Sequence, residues 1–342
     1  MIAPGDIPRP ERVLIIKPSA LGDVVTALPV LRGLRRSFPE ARIDWLVSRS
    51  CAPLVAEDDE LSGVVPFDRR RFGRMAYDPA SAAAFVRFCR ALRRARYDWT
   101  IDLQGLFRSG FLTAVTRAPV RAGFAAAREL AGMFYNHALP IARTPSHTVD
   151  RNIALARSLG VDARPDDYRL CVSDAGRRWA QQFVADRGGG VIVVAPATRW
   201  VTKLYPARHW RVVIDRLARC APVVLVAGPG EEHLTAPLTG GDNVIDLTGQ
   251  TTLAQLVGLI AEARGLVCCD SAAMNIAAAV DTPQTVLIGP TDPDRTGPYG
   301  PTASVVRTSL PCRACLKRKC RHVSCMQTIN PARVVAAAAG WL

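Results

Sequence analysis

Short apolar runs of strand length alternate with helical stretches along this chain, and the alternation occurs twice. In the first half, residues 12–17 (RVLIIK) and 42–47 (RIDWLV) are of strand type, and residues 23–37 between them have helical periodicity. A later run, 98–103 (DWTIDL), follows the arginine-rich helical stretch 81–95. Strands interleaved with helices predict a parallel sheet that is covered by helices on both faces.

The same alternation begins again after a polar segment near residues 162–167, and we expect a linker at about 165–190. Strand-type runs and helical stretches then follow in turn, at 191–195, 210–219, 223–227, 253–263, 266–269, 271–280 and 284–288. The predicted fold is therefore α/β, with two consecutive doubly wound domains at residues 1–170 and 171–342. Ligands of such sheets bind outside the carboxyl ends of the strands, so we look for chemistry in the turns that follow them.

Length and composition agree with two folded domains. The chain has 342 residues, of which 49% are hydrophobic and 22% charged, and this excludes wholesale disorder. No run approaches the roughly eighteen uncharged apolar residues of a transmembrane helix. The N-terminus has no basic segment followed by an apolar core and a cleavage site, so we expect no signal peptide and a cytoplasmic location.

Arginine gives the chain an unusual excess of positive charge. The 44 Lys and Arg residues against 30 Asp and Glu residues give a net charge of +14. Between Arg69 and Arg96 there are nine arginines and one acidic residue, Asp78, and no acidic residue follows Asp294. The charge predicts an anionic partner, which composition leaves open as nucleic acid, a phosphorylated ligand or an acidic membrane surface.

The turn after the first strand reads Ser19-Ala20-Leu21-Gly22-Asp23. Gly22 permits a sharp turn, and Asp23 is expected to open the helix. An aspartate in this position is typical of a helix N-cap, but a carboxylate at the edge of the sheet can also act as a general base. The turn has no G-x-G-x-x-G sequence, so the dinucleotide-binding fingerprint is absent from its usual place.

Two turns in the second half combine groups that suit an anionic phosphate. Thr198 and Lys203 lie in the loop after the strand 191–195, and Lys203 is one of only four lysines in the chain. Asp270 and Ser271 lie where the strand 266–269 runs into a helix, whose free N–H groups attract anions. The alternatives are a solvated lysine in the first turn and a simple helix cap in the second.

The sequences around these turns resemble glycosyltransferase family 9, the bacterial lipopolysaccharide heptosyltransferases. The similar strings cover nearly the whole chain in the family's order: VLIIKPSALGDVVTALP, YDWTIDLQGLFRSG, MFYNHALPI, ATRWVTKLYPARHW, CCDSAAMNIAAAV and IGPTDPDRTGPYGP. The resemblance implies a GT-B architecture, in which two Rossmann-like domains face a cleft. It also implies an inverting enzyme that transfers heptose from ADP-heptose to the 3-deoxy-manno-octulosonic acid of the lipid A core.

The resemblance also implies roles for individual residues. Asp23 would be the general base, and Lys203 would stabilise the leaving diphosphate. The donor would be bound by the C-terminal domain, through Thr198, Lys203, Asp270, Ser271, the backbone of Ala272 and Ala273, and the ribose-side residues Gly230 and Glu231. The anionic acceptor would be bound by the N-terminal domain, through Arg69, Arg70, Arg71, Arg74 and Arg128.

The turn that begins at Asp270 departs from the family pattern. The family often has Asp-Thr-Gly-x-x-His there, and this chain has Asp-Ser-Ala-Ala-Met-Asn. Ser271 keeps the hydroxyl group, and Ala272 keeps the backbone donor without the conformational freedom of glycine. Asn275 replaces the histidine, so a charge that the histidine would offer the pyrophosphate is missing.

Four of the ten cysteines are clustered in residues 312–325, which we name the cysteine segment: Cys312, Cys315, Cys320 and Cys325. Four thiolates within fourteen residues can close a tetrahedral zinc site. The single C-x2-C pair is not the pattern of a standard zinc finger. A structural zinc and reduced thiols both remain open, and a cytoplasmic location disfavours a disulfide. The transfer reaction implies no catalytic cofactor.

We therefore expect a glycosyltransferase at the cytoplasmic face of the inner membrane. Its partners would be a nucleotide-sugar, the anionic lipid A core and the anionic membrane surface. One alternative is a family 9 enzyme that uses another nucleotide-sugar for a different surface glycan. Another is a nucleic-acid-binding α/β protein that uses the cysteine segment, although aromatic residues for base stacking are absent there, so we expect no nucleic acid.

Overall fold

The computed structural model describes residues 7–140, 142 and 145–342. The chain divides into two compact units, Met1–Arg169 and Leu170–Leu342. Each unit has its own six-stranded sheet. In the described part of the chain, none of the helices combines the length and the apolar character that a membrane span needs.

In the first unit, all six strands are parallel and are ordered β3-β2-β1-β4-β5-β6. The strands are β1 (Arg12–Ile16), β2 (Arg42–Ser48), β3 (Gly63–Phe67), β4 (Trp99–Asp102), β5 (Val120–Phe124) and β6 (His137–Leu139). The helices are α1 (Leu21–Val25), α2 (Leu28–Ser37), α3 (Arg69–Phe72), α4 (Pro79–Arg94), α5 (Phe107–Thr116) and α6 (Thr148–Arg157). The residues of β1 from Val13 to Ile16 are fully buried, which explains why the strand is a continuous apolar run.

The helix predicted over 23–37 is two helices, α1 and α2. Pro29 lies in the first turn of α2 and has no N–H to donate to the carbonyl of Val25. A continuous helix would therefore lose a backbone hydrogen bond at this point. The chain instead begins a second helix, with Ala27 as its N-cap.

In the second unit, the strands are again all parallel, in the order β12-β11-β10-β7-β8-β9. They are β7 (Ile192–Ala195), β8 (Val223–Leu225), β9 (Val244–Asp246), β10 (Gly265–Cys269), β11 (Gln284–Ile288) and β12 (Ala303–Arg307). The helices are α7 (Asp174–Ala185), α8 (Ala207–Leu217), α9 (Glu232–Thr235), α10 (Leu253–Glu262), α11 (Ala272–Ala279), α12 (Pro293–Thr296), α13 (Ser324–Gln327) and α14 (Pro331–Ala338).

The predicted linker at 165–190 is wrong in its central part, because α7 occupies residues 174–185. This helix is amphipathic, begins with Ser173 as an N-cap that accepts the N–H of Gly176, and packs closely against α10. A helix that packs in this way is part of the second unit. It does not form a connecting segment.

The strand order in each unit is that of a Rossmann fold, so the prediction of two doubly wound α/β domains is confirmed. In both sheets the order reverses between the first and the fourth strand, which are β1 and β4 in one unit and β7 and β10 in the other. The carboxyl ends of these strand pairs are where such folds bind ligands. The loops that follow β1, β4, β7 and β10 are therefore the candidate ligand-binding loops.

Candidate functional site

Asp23 lies on the first turn of α1, after the carboxyl end of β1. The helix begins at Leu21 with Ala20 as its N-cap, so Asp23 is the third helical residue and does not open the helix as predicted. Its Oδ2 accepts the backbone N–H of Ala20 at 2.9 Å, which fixes the side chain at the helix start. The residue is exposed, so its carboxylate is accessible to the hydroxyl group of a substrate.

Two buried charged residues lie beside this turn, and sequence reasoning missed both. Lys17 follows β1, is 5% exposed, and donates from Nζ to the carbonyl oxygen of Leu103 at 2.6 Å. Burial lowers the pKa of the Lys17 ammonium, whereas the negative charges of Asp23 and Asp102 raise it. Asp102 ends β4, is fully buried and accepts the hydroxyl of Tyr135 at 2.6 Å, and burial raises its pKa. The sequence feature that indicates both residues is a charged residue at the end of an otherwise apolar, buried strand.

The loop after β7 contains a lysine, Lys203, whose side chain is largely buried. Thr198 Oγ1 donates to the carbonyl oxygen of Trp200 at 2.8 Å, and Val201–Lys203 forms a single 3₁₀ turn. Lys203 Nζ lies 2.8 Å from Asp270 Oδ2, and the two side chains are 15% and 9% exposed. The ammonium also lies 4.6 Å from the ring centre of Trp200, a cation–π contact.

The turn after β10 contains polar groups that have no hydrogen-bond partner among the described residues. Asp270 accepts the hydroxyl of Thr291 in addition to its contact with Lys203. Ser271 is the N-cap of α11, but its hydroxyl makes no cap hydrogen bond; it is buried and has no partner among the described residues. The first-turn N–H groups of α11, which include those of Ala272 and Ala273, have no partner within the helix. Free donors at the positive end of a helix are groups of the kind that bind anions.

The loop after β8 lies next to these two turns, because β8 pairs with β7. Glu231 Oε2 accepts the backbone N–H of Gly228 at 2.7 Å, so the carboxylate is held by its own loop. Gly230 has a φ of +87°, which favours glycine at this position. The second unit therefore brings all of the predicted donor residues to the carboxyl ends of three neighbouring strands, β10, β7 and β8.

The predicted acceptor arginines are exposed. Arg69, Arg70, Arg71 and Arg74 lie on α3 and just after it, and Phe72 holds this short helix in place by packing against three phenylalanine rings. Arg128 is exposed on the loop after β5. Among the described residues, none of these five arginines has an acidic partner within 4.0 Å. The segments after β3 and after β5 both follow the carboxyl ends of their strands, and β1 lies between these two strands in the sheet.

The four cysteines of the cysteine segment do not form a coordination sphere. Cys312 and Cys315 are exposed, whereas Cys325 is buried. Burial raises the pKa of Cys325, and the other three thiols add to this effect, while backbone N–H groups lower the pKa of Cys320. Over residues 7–140, 142 and 145–342, no three His, Cys, Asp or Glu side chains are arranged to hold a metal ion.

The sequence matches one protein family along most of its length. The family model for glycosyltransferase family 9 (heptosyltransferase) matches residues 85–325. Lipopolysaccharide heptosyltransferase 1 of Pseudomonas aeruginosa is 34% identical over 319 residues, which are 91% of this chain and 88% of that protein.

Solved structures give the same result. A heptosyltransferase of E. coli, solved with ADP-2-deoxy-2-fluoro heptose, is 30% identical with a TM-score of 0.74, over 96% of this chain and 99% of that one. A family 9 glycosyltransferase of Veillonella parvula, 21% identical over 97% of each chain, has the same fold with a TM-score of 0.80. The chain therefore belongs to glycosyltransferase family 9, the heptosyltransferases, and is a glycosyltransferase of GT-B architecture.

Proposed function

We propose that this enzyme transfers heptose, with inversion, from ADP-heptose to the 3-deoxy-manno-octulosonic acid of the lipid A core. The observation that carries the proposal is a group of anion-binding side chains and N–H donors in the second unit. There Lys203, the unpartnered hydroxyl of Ser271 and the free N–H groups of α11 lie at neighbouring strand ends. The donors suit the diphosphate of a nucleotide-sugar. The similarity to heptosyltransferases solved with ADP and with an ADP-heptose analogue supports ADP-heptose as the donor.

In this proposal the residues of the donor site have different roles. Lys203, Ser271 and the N–H groups of Ala272 and Ala273 bind the diphosphate and stabilise the charge that it gains as it leaves. A carboxylate repels a diphosphate, so Asp270 acts by holding Lys203 in place, as their 2.8 Å contact supports. The hydroxyl of Thr198 adds a further diphosphate contact, and Glu231 accepts hydrogen bonds from the ribose.

Asp23 is the general base in the same proposal. Its carboxylate takes the proton from the acceptor hydroxyl while that oxygen forms a bond to C1 of heptose. The bond from C1 to the diphosphate oxygen breaks, and ADP leaves with the electron pair from the opposite face. One bond forms and one breaks at C1, so the anomeric configuration inverts. The exposure of Asp23 and its fixed position at the start of α1 support this role.

The exposed arginines of the first unit bind the acceptor in this proposal. The lipid A core has carboxylates and phosphates, and guanidinium groups bind both in bidentate fashion. Two large side chains next to α3 are also exposed, Met75 by 46% and Tyr77 by 74%. Arginines with apolar and aromatic neighbours suit an anionic membrane surface. We therefore assign the enzyme to the cytoplasmic face of the inner membrane, where the acceptor is anchored.

The cysteine segment is the subject of a separate proposal, a structural zinc bound by its four cysteines. The residue types and their spacing support it, although the side chains would have to reorient to bind the ion. No catalytic step uses this zinc. Metal analysis should find one zinc per chain in the wild type and none in Cys320→Ser, and a metal-free wild type would mean that the cysteines are reduced thiols.

The transfer reaction can be tested with purified enzyme, ADP-heptose and a delipidated acceptor that ends in 3-deoxy-manno-octulosonic acid. We expect ADP and heptosylated acceptor in equal amounts by mass spectrometry, with inverted configuration by NMR. GDP- and UDP-sugars serve as controls and should give no product. Efficient transfer from one of these controls, with none from ADP-heptose, would favour a family 9 enzyme for a different glycan.

A further inference from the structure

The cysteine segment packs directly on the loops that form the donor site. Thr202 Oγ1 donates to the carbonyl oxygen of Lys317 at 2.9 Å, which joins the segment to the loop after β7. The backbone N–H groups of Ala314 and Leu316 donate to the carbonyl oxygens of Gly289 and Pro290, at 3.1 and 2.7 Å. Gly289 and Pro290 belong to the loop after β11. The same loop contains Thr291, whose hydroxyl donates a hydrogen bond to Asp270 Oδ2.

The backbone of the segment adopts an unusual conformation to make these contacts. Ala314 and Leu316 have φ angles of +56° and +58°, in the left-handed region that favours glycine. Non-glycine residues keep such angles where surrounding contacts determine them. The hydrogen bonds to Gly289, Pro290 and Thr202 are such contacts. Residues 314–317 are therefore fixed against the donor loops.

The residue that follows this fixed stretch, Arg318, places a second cation near Lys203. The guanidinium carbon of Arg318 lies 4.7 Å from the ring centre of Trp200, and Lys203 Nζ lies 4.6 Å from the same centre. Lys203 is paired with Asp270, but Arg318 is exposed and has no acidic partner within 4.0 Å in the part of the chain that the structure describes. No acidic residue follows Asp294 in the sequence, so the segment supplies no counter-ion of its own.

We propose that Arg318 is a donor-binding residue, which the cysteine segment and the ring of Trp200 hold in position to contact the donor diphosphate. Both cations lie against one ring, so an anion that binds beside this ring is attracted by both. A guanidinium group is always charged and binds phosphate oxygens in bidentate fashion. This inference rests on the proposed function, since it requires that the diphosphate bind beside Lys203.

The test compares the affinities of five proteins for ADP and for adenosine by calorimetry: wild type, Lys203→Ala, Arg318→Ala, Trp200→Leu and Arg321→Ala. Arg321 is exposed in the same segment, so its replacement is a control that removes the same charge. We expect Arg318→Ala to raise the Kd for ADP by about tenfold or more, as loss of a charged hydrogen bond does. The Kd for adenosine should stay unchanged. Trp200→Leu should also raise the Kd for ADP. Arg321→Ala should have the same Kd for ADP as the wild type.

The outcomes separate this inference from the proposed function. If wild-type protein binds no ADP, the donor site itself is wrong. If wild type binds ADP and Lys203→Ala weakens this binding, but Arg318→Ala has the same ADP affinity as Arg321→Ala, only the role of Arg318 is refuted. Equal losses of affinity for adenosine and for ADP in Arg318→Ala would also refute it, because they would indicate damage to the fold of the segment.

Discussion

At the scale of single residues, the ion pair between Lys203 and Asp270 is the centre of the proposed donor site. We expect Lys203→Ala to raise the Kd for ADP by about 10- to 100-fold and to lower turnover, because it removes a charged contact and leaves Asp270 without its cation. Asp270→Asn should also weaken ADP binding, since Lys203 loses the group that orients it. Calorimetry measures both values of Kd. Tighter ADP binding by Asp270→Asn would mean that the carboxylate only repels the diphosphate.

Sequence reasoning selected several residues in the loops after strands, but it missed Lys17 and Asp102 at the ends of β1 and β4. It also missed the residues that only tertiary contacts bring in. Lys203, Asp270 and Ser271 follow buried strands, where parallel sheets bind ligands. Trp200 and Arg318 are more than a hundred positions apart in the sequence, and no periodicity relates them. Their contact depends on how the loops after β7 and β11 hold the cysteine segment.

At the scale of elements, the sequence predicted most of the central strands of both sheets but missed the edge strands and also β5, which is an interior strand. Central strands such as β1 and β10 are buried on both faces and are continuous apolar runs. β12 is mostly exposed and β9 has only three half-buried residues, so neither has a clear apolar pattern. β3 contains Pro66, which a strand tolerates at a sheet edge, and β3 is an edge strand.

The close packing of α7 on α10 depends on two glycines. A Cβ atom on Gly258 would lie 2.3 Å from the carbonyl oxygen of Gly176, which is backbone and cannot move aside. We expect Gly258→Ala to lower the free energy of unfolding by about 1–3 kcal/mol, because the two helices must separate. Gly340→Ala is a suitable control, since a Cβ there meets no atom within 4 Å. Denaturant unfolding of both variants measures the difference, and equal stabilities would contradict the packing argument.

At the scale of the whole molecule, the proposed function attributes the net charge of +14 to the binding of an anionic acceptor. Replacement of Arg69, Arg70 and Arg71 together by Ala should raise the KM for the acceptor and leave donor affinity nearly unchanged. Part of the attraction is long-range, so wild-type acceptor kinetics should weaken with added salt, and the triple variant should respond less.

The control for this prediction is a soluble, delipidated acceptor, which separates acceptor binding from attraction to a membrane. With that acceptor, the triple variant should still have the higher KM and the smaller salt dependence. Identical acceptor constants and salt dependence in wild type and variant would mean that these arginines do not bind the acceptor.

The most direct test of the account is the Asp23→Asn variant, because the carboxylate has both a structural contact and a proposed catalytic role. An asparagine oxygen can still accept the N–H of Ala20, so the start of α1 should be kept. The measurement is the turnover number for heptose transfer, with the Kd for ADP determined on the same preparation. We expect turnover to fall by about 10²–10⁴-fold with an unchanged Kd, as loss of a general base predicts. Retention of more than half of the wild-type turnover would show that Asp23 only caps the helix, and the proposed mechanism would be wrong.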